Sequence, residues 1–414
     1  MIRLRRELDL FFRCSRSTRV LLAANMTYAL VLPVIEIFVA AYVMRNSRAM
    51  SMVVTYQLAV YVATPVAFFI NGILLGRIGV KHLYAAGMLL SGVAILLLMR
   101  SGVLTGIGIA LSGLAMGLST GLFWANRGFL ALVSTDDSNR NYFYGVELFS
   151  STLTAVVVPA SIGWFVGGTA LFGWLGGVAN HAYRIVALAA LALSGLSAAI
   201  LELASFRNPA HIRFVFFRFP PLWRRMLALA LLKGLAQGYM ITAPAMLVLL
   251  LAGNEGTLGA TQAIGGVLSA LVLYGIGRAA APHHRQAVFS AGLVLFFLGS
   301  GASALLFNAA GVLVFIACLA LAKPLLDLAY NPIELQVVDT VARQQGHSEY
   351  AYFFNHEFGL FAGRFLGCGL FLAVAQGWSG TAALRYALPA IALLQLLSIP
   401  VAARIARDLK STDR

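Results

Sequence analysis

Twelve runs of mostly apolar residues, each about 20 residues long, limit what this chain can fold into. They fall at residues 20–44, 51–75, 83–99, 103–124, 143–166, 185–206, 226–251, 258–276, 287–307, 311–338, 351–375 and 386–403. At about 1.5 Å of rise per residue, such a run in helical form matches the roughly 30 Å hydrocarbon core of a bilayer. The pattern predicts an all-α integral membrane protein with twelve transmembrane helices. Composition agrees: 60% of the 414 residues are hydrophobic and 11% are charged, too few to solvate a soluble protein of this size. The first run is too long for a signal-peptide core and lacks a small-residue cleavage site, so it reads as a retained first helix.

A formal net charge of +15 would suit a nucleic-acid partner, but its distribution argues against one. With twelve spans, both termini lie on one side. Of the 30 Lys and Arg, 22 fall on that side, five on the other (Arg45, Arg48, Arg100, Arg184 and Arg385) and three within spans. This is the positive-inside pattern, so both termini are expected on the cytoplasmic side of the membrane. The lipid bilayer then accounts for the charge, with no nucleic acid. A monomer is expected. Cys14, Cys318 and Cys368 form no disulfide framework and no metal motif, and no cofactor is expected.

The longest polar connection, RNPAHIRFVFFRFPPLWRR at 207–225, divides the chain into six-helix bundles over 1–206 and 226–414. Its basic and aromatic residues suit the inner membrane surface, as do Leu4, Leu8 and Phe11 at helical spacing near the start. The halves echo each other. Arg77 and Arg278 follow the second and eighth spans. Asn126 has a counterpart in Asn331 and Glu147 in Glu357, in the same order. Polar landmarks repeated in order indicate a duplication.

A duplicated six-plus-six chain of this kind resembles the major facilitator superfamily. The sharpest likeness is the loop after the second span. The family pattern G-x-L-x-D-R-x-G-R-K is matched by Gly72, Leu74, Arg77, Gly79 and Lys81, while Gly76 replaces its aspartate and Val80 its first closing basic residue. The resemblance implies two bundles that rock about a central site lined by spans one, four, seven and ten. It also gives Gly72, Arg77, Gly79 and Lys81 a role in the conformational change. Trp124, Asn126 and SNRNYFYGVE at 138–147 are similar to a subset of bacterial members.

Buried charge marks the path. An ionisable side chain deep in lipid costs roughly 2.5–3.5 kcal/mol on insertion scales, so it should face protein or water. Glu36, Glu147, Lys233, Lys323, Asp327, Glu334, Glu357 and Arg364 are the candidates, and spans three and nine hold none. In span ten, Lys323, Asp327, Tyr330, Asn331 and Glu334 form one polar stripe, with Pro324 and Pro332 allowing bends. Lys323 and Asp327, four apart, are expected to pair. In span one, Asn25, Tyr28 and Glu36 share a face. Glu36 either couples protons or bridges to a helix across the cavity. Lys233 and Gln237 share a face of span seven. The three cations, Lys233, Lys323 and Arg364, either hold an anionic substrate or neutralise Glu36, Asp327 and Glu357. Arg127, Glu147, Glu334 and Glu357 are expected as gates or brackets near the cytoplasmic ends. His356 is either a proton relay or structural.

No phosphate-cradling G-x-x-x-x-G-K-[ST] appears. The expectation is a proton-coupled secondary transporter of a small organic molecule, with a lean toward export of amphipathic compounds. That lean rests on Pro159 and Gly163 in VVVPASIGWFVGG, an imperfect likeness to the family's antiporter pattern. Uptake of an organic nutrient or metal chelate is the alternative. A membrane-embedded enzyme and a transport-dead receptor are the other classes, to be separated by product formation and by binding without flux.

Overall fold

The computed structural model describes residues 11–12, 14–100, 104–135, 139–208, 216, 218–279, 284–346 and 349–412. The first ten residues and, in the inter-bundle loop, residues 209–215 and 217 lie outside them.

Among the described residues, twelve helices are long and apolar enough to cross a membrane: α1 (Arg16–Ser47), α2 (Met50–Leu74), α3 (Val80–Arg100), α4 (Gly106–Ala131), α5 (Tyr142–Thr169), α6 (Ala179–Leu201), α7 (Pro221–Ala252), α8 (Glu255–Ile276), α9 (Arg285–Leu306), α10 (Ala309–Gln345), α11 (Ala351–Gly377) and α12 (Gly380–Lys410). Each apolar window of the sequence falls largely on one helix. The ends differ because local chemistry sets them. Proline at the first turn suits Pro221, so α7 begins within the segment assigned to the loop. Ser15, Thr105, Asn308 and Ser379 cap α1, α4, α10 and α12 by accepting from backbone N–H groups. Gly346 closes α10 at φ 68°, a left-handed position that favours glycine.

The helices form two bundles, α1–α6 and α7–α12, whose packing repeats. α2 packs on α4 as α8 packs on α10, and α3 packs on α6 as α9 packs on α12. The two principal contacts between bundles, α5 with α8 and α2 with α11, are also images of each other. Both lead helices carry a proline followed by a π-turn: Pro33 with Val34–Phe38 in α1, and Pro244 with Val248–Ala252 in α7. A π-turn widens the ladder locally and re-aims side chains. Through Pro324 and Pro332, by contrast, α10 stays one continuous helix.

The bundles meet most closely at the end away from the termini. A Cβ on Gly259 of α8 would lie 2.2 Å from the carbonyl oxygen of Pro159 and 2.7 Å from the Cα of Gly163, so only glycine allows this approach. Beside it, Arg45 of α1 donates to both oxygens of Glu255 in α8, at 2.8 and 3.0 Å. At the termini end a smaller apolar contact joins Phe68 and Ala125 to Phe354.

Candidate functional site

Each bundle ties its first, fourth and fifth helices together with polar side chains. In the first, Asn25 of α1 donates to Glu147 Oε1 at 2.5 Å, and Arg127 of α4 to Glu147 Oε2 at 2.9 Å. Tyr84 donates to Asn25 at 2.8 Å, and Tyr28 to Ser91 at 2.9 Å. Asn71 and Asn126 bond each other reciprocally. Asn25, Tyr28 and Glu147 are all buried, so these bonds satisfy groups that lipid could not. Arg127 also lies over Trp124, 5.2 Å from the ring centroid.

The second bundle holds a larger network. Lys233 of α7 approaches Asp327 of α10 at 3.8 Å and lies over the Tyr330 ring at 3.7 Å. Tyr330 shares a 2.7 Å hydrogen bond with His356 Nε2, whose Nδ1 faces Glu334 at 3.2 Å. On α11, Arg364 is bonded to Glu357 and donates through Nε to Gln237 at 2.8 Å. Its guanidinium lies 4.9 Å from the ring centroid of Tyr61, on α2 of the other bundle.

Glu36 and Lys323 stand apart. Glu36 lies in the π-turn of α1, and both side chains are accessible although both are deep in their helices. By helical rise, each is about 15–20 Å from the end remote from the termini. Among the described residues no ion pair within 4.0 Å closes between them.

The stripe on α10 is therefore divided among several partners. Asp327 joins Lys233 rather than Lys323, which corrects the expected local pair. Tyr330 and Glu334 turn into the α10–α11 interface, and Asn331 is exposed. Asn25 and Tyr28 are taken up within their bundle, away from Glu36. The bonds of Arg127, Glu147, Glu334 and Glu357 stay within single bundles, and none bridges the two. At the start of α3, Lys81 donates to Glu202 at 2.8 Å, and the Val80 N–H donates to Asn208 at 2.9 Å. Gly72 lies in the last turn of α2, Gly79 directly before α3, and Arg77 is exposed in the turn between them.

The Arg45–Glu255 bridge was missed in the sequence. Both residues lie near span ends, where charge is unremarkable, and nothing local pairs positions so far apart. Among the described residues, no group of three or more His, Cys, Asp or Glu could hold a metal ion.

No protein-family model matches the chain. The uncharacterized protein YqgE of Bacillus subtilis (strain 168) is 21% identical over 364 residues, covering 86% of this chain and 81% of that protein. Two solved structures share the fold. A POT family transporter in complex with 5-aminolevulinic acid aligns at a TM-score of 0.67 and 11% identity, covering 94% of this chain and 96% of that one. A POT family transporter in complex with a thioalcohol conjugated peptide aligns at 0.67 and 12%, with the same coverage. The chain has the two-bundle architecture of known transporters, a major facilitator-like fold. At these identities the likeness concerns the fold.

Proposed function

We propose that this protein is a secondary transporter that moves a small organic molecule across the membrane by alternating access, coupled to protons. The observation that carries the reading is the placement of accessible charge, Glu36, Lys323 and Asp327, at mid-span where the two bundles face each other. Lipid-facing positions would not tolerate it, whereas a hydrated path between bundles does. The glycine seam and the Arg45–Glu255 bridge supply one closed end, and rocking about the α5–α8 and α2–α11 contacts would exchange it for the other. The likeness of the fold to POT family transporters supports the same reading.

For the proton, the geometry favours Glu334 and His356. Their carboxylate and imidazole face each other at 3.2 Å, and the imidazole is bonded onward to Tyr330. A proton held by this pair changes the charge beside Lys233, Arg364 and Glu357 without leaving the second bundle. Glu36, accessible in the π-turn of α1, fits the alternative of a partner across the path. The test uses protein in liposomes and compares exchange at equal pH with accumulation driven by a pH gradient. Glu334→Gln and His356→Gln should retain exchange and lose driven accumulation. Driven accumulation at the wild-type rate in both variants would remove the coupling role.

A further inference from the structure

At the end of the molecule that carries the termini, the start of α1 and the end of α6 leave a groove between them. The Ser17 hydroxyl donates to the Ser205 carbonyl at 3.1 Å, which holds the two ends at one level. The groove has a volume of about 440 Å³, in the range of small-molecule sites, and is open on one side. Its walls are apolar: Val20 and Ala23 of α1, Ile200 in the last turn of α6 and Leu203 just past it, with Phe11 ahead of α1. Two cations interrupt them, Arg16 and Arg19 in the first turn of α1. Among the described residues no carboxylate comes within 4.0 Å of either. Glu202, the acid between Ile200 and Leu203, is bonded instead to Lys81 at 2.8 Å. Arg19 Nε is buried without a hydrogen-bond partner, and the guanidinium lies 5.8 Å from the Phe12 ring centroid. A buried donor left unsatisfied costs free energy that a bound acceptor would recover.

We propose that this groove binds an anionic phospholipid, with one acyl chain along the apolar walls and the phosphate held by Arg16 and Arg19. The depth is right for it. α1 is 32 residues long, about 48 Å by helical rise against a hydrocarbon core of about 30 Å, so its first turn stands among the lipid headgroups. The chemistry is right as well. Guanidinium groups are favoured partners of phosphate, and an apolar wall below two unpaired cations matches a molecule that joins a charged head to an apolar tail. A free phosphate would use the cations and leave the wall bare, and an uncharged chain would do the reverse. The other candidate occupant is residues 1–10 of the chain itself, which lead into Phe11. They carry Arg3, Arg5 and Arg6 against Glu7 and Asp9, so their net charge has the same sign as the groove, and the lipid is favoured. Both walls belong to the first bundle, so occupancy is independent of movement between the bundles and of the transporter reading.

The test uses full-length protein, purified and delipidated in detergent, and reads binding by native mass spectrometry. The probes are dioleoyl phosphatidylglycerol, dioleoyl phosphatidylcholine, dioleoylglycerol and inorganic phosphate. One phosphatidylglycerol should bind about tenfold or more tighter than phosphatidylcholine, since each basic group beside an anionic headgroup contributes about a factor of five. Dioleoylglycerol and phosphate should bind no tighter than phosphatidylcholine. Arg16→Gln with Arg19→Gln should bring phosphatidylglycerol down to the affinity of phosphatidylcholine. Arg404→Gln with Arg407→Gln, at exposed positions of α12, should leave the preference unchanged. A second measurement needs no variant. Phosphatidylglycerol with a photoreactive acyl chain, in liposomes holding the wild-type protein, should label residues 16–23 and 200–203 ahead of other segments, and photoreactive phosphatidylcholine should not. Equal affinity for the two phospholipids, a preference that survives neutralisation of Arg16 and Arg19, or labelling spread evenly over the helices overturns the proposal. A groove that neither lipid labels is covered by residues 1–10, and phosphate binding as tight as that of phosphatidylglycerol assigns the cations to a free anion; either result overturns it too.

Discussion

Asp327 lies 3.8 Å from Lys233 on α7, although Lys323 is only one turn away on its own helix. Two features of helix geometry explain the choice. Long side chains lean toward the helix N-terminus, so Lys323 leans away from a carboxylate four residues later. The acid-after-base order is also the weaker arrangement for an i, i+4 pair. A double-mutant cycle reads this out. Lys233→Met with Asp327→Asn should show a coupling of about 1 kcal/mol in thermal or denaturant unfolding, the size for a partly exposed pair. Lys323→Met with Asp327→Asn should be additive within about 0.5 kcal/mol.

The Glu147 carboxylate accepts from Asn25 and Arg127 at once. Glu147→Ala leaves a cation and an amide without their partner in a buried setting. It should destabilise the protein by about 3–5 kcal/mol, reported by unfolding in detergent. Glu147→Gln keeps an acceptor for Asn25 and should cost less than half as much.

At the seam between α5 and α8, any side chain on Gly259 meets the backbone of α5. Gly259→Ala should lengthen the distance between spin labels at the neighbouring ends of α5 and α8 and reduce transport by about tenfold or more. Gly275→Ala, where nothing lies within 4 Å of the added carbon, should change neither.

Glu202, just past the end of α6, is held below its usual value of 4.5 chiefly by the hydrogen bond from Lys81. A depressed carboxylate contributes stability above its unfolded-state value and loses it as the pH falls through the folded-state value. The midpoint difference between wild type and Glu202→Gln should therefore be constant above about pH 5 and vanish in more acidic buffer. Exposure and salt keep it small, within about 2 °C.

The fold was legible because span length and apolarity are local properties that a bilayer enforces on each helix in turn. The duplication was legible in Asn126, Glu147 and their echoes, and the packing repeats it. The placement of charge in particular spans was also legible, since lipid excludes it elsewhere. Partner choice was not. Asp327 could be matched with Lys323 by spacing, whereas Lys233, 94 positions earlier in the chain, becomes its neighbour only when α7 packs against α10. Likewise, nothing along α1 shows that the π-turn after Pro33 separates Glu36 from Asn25 and Tyr28.

The most direct measurement compares small molecules inside and outside cells with the gene deleted and restored, with the proton gradient intact and then collapsed by a protonophore. The account predicts that a small organic compound changes its distribution with the gene, and that this change disappears when the gradient is collapsed. A distribution that ignores the gene, or a new chemical product in place of a moved compound, would contradict it.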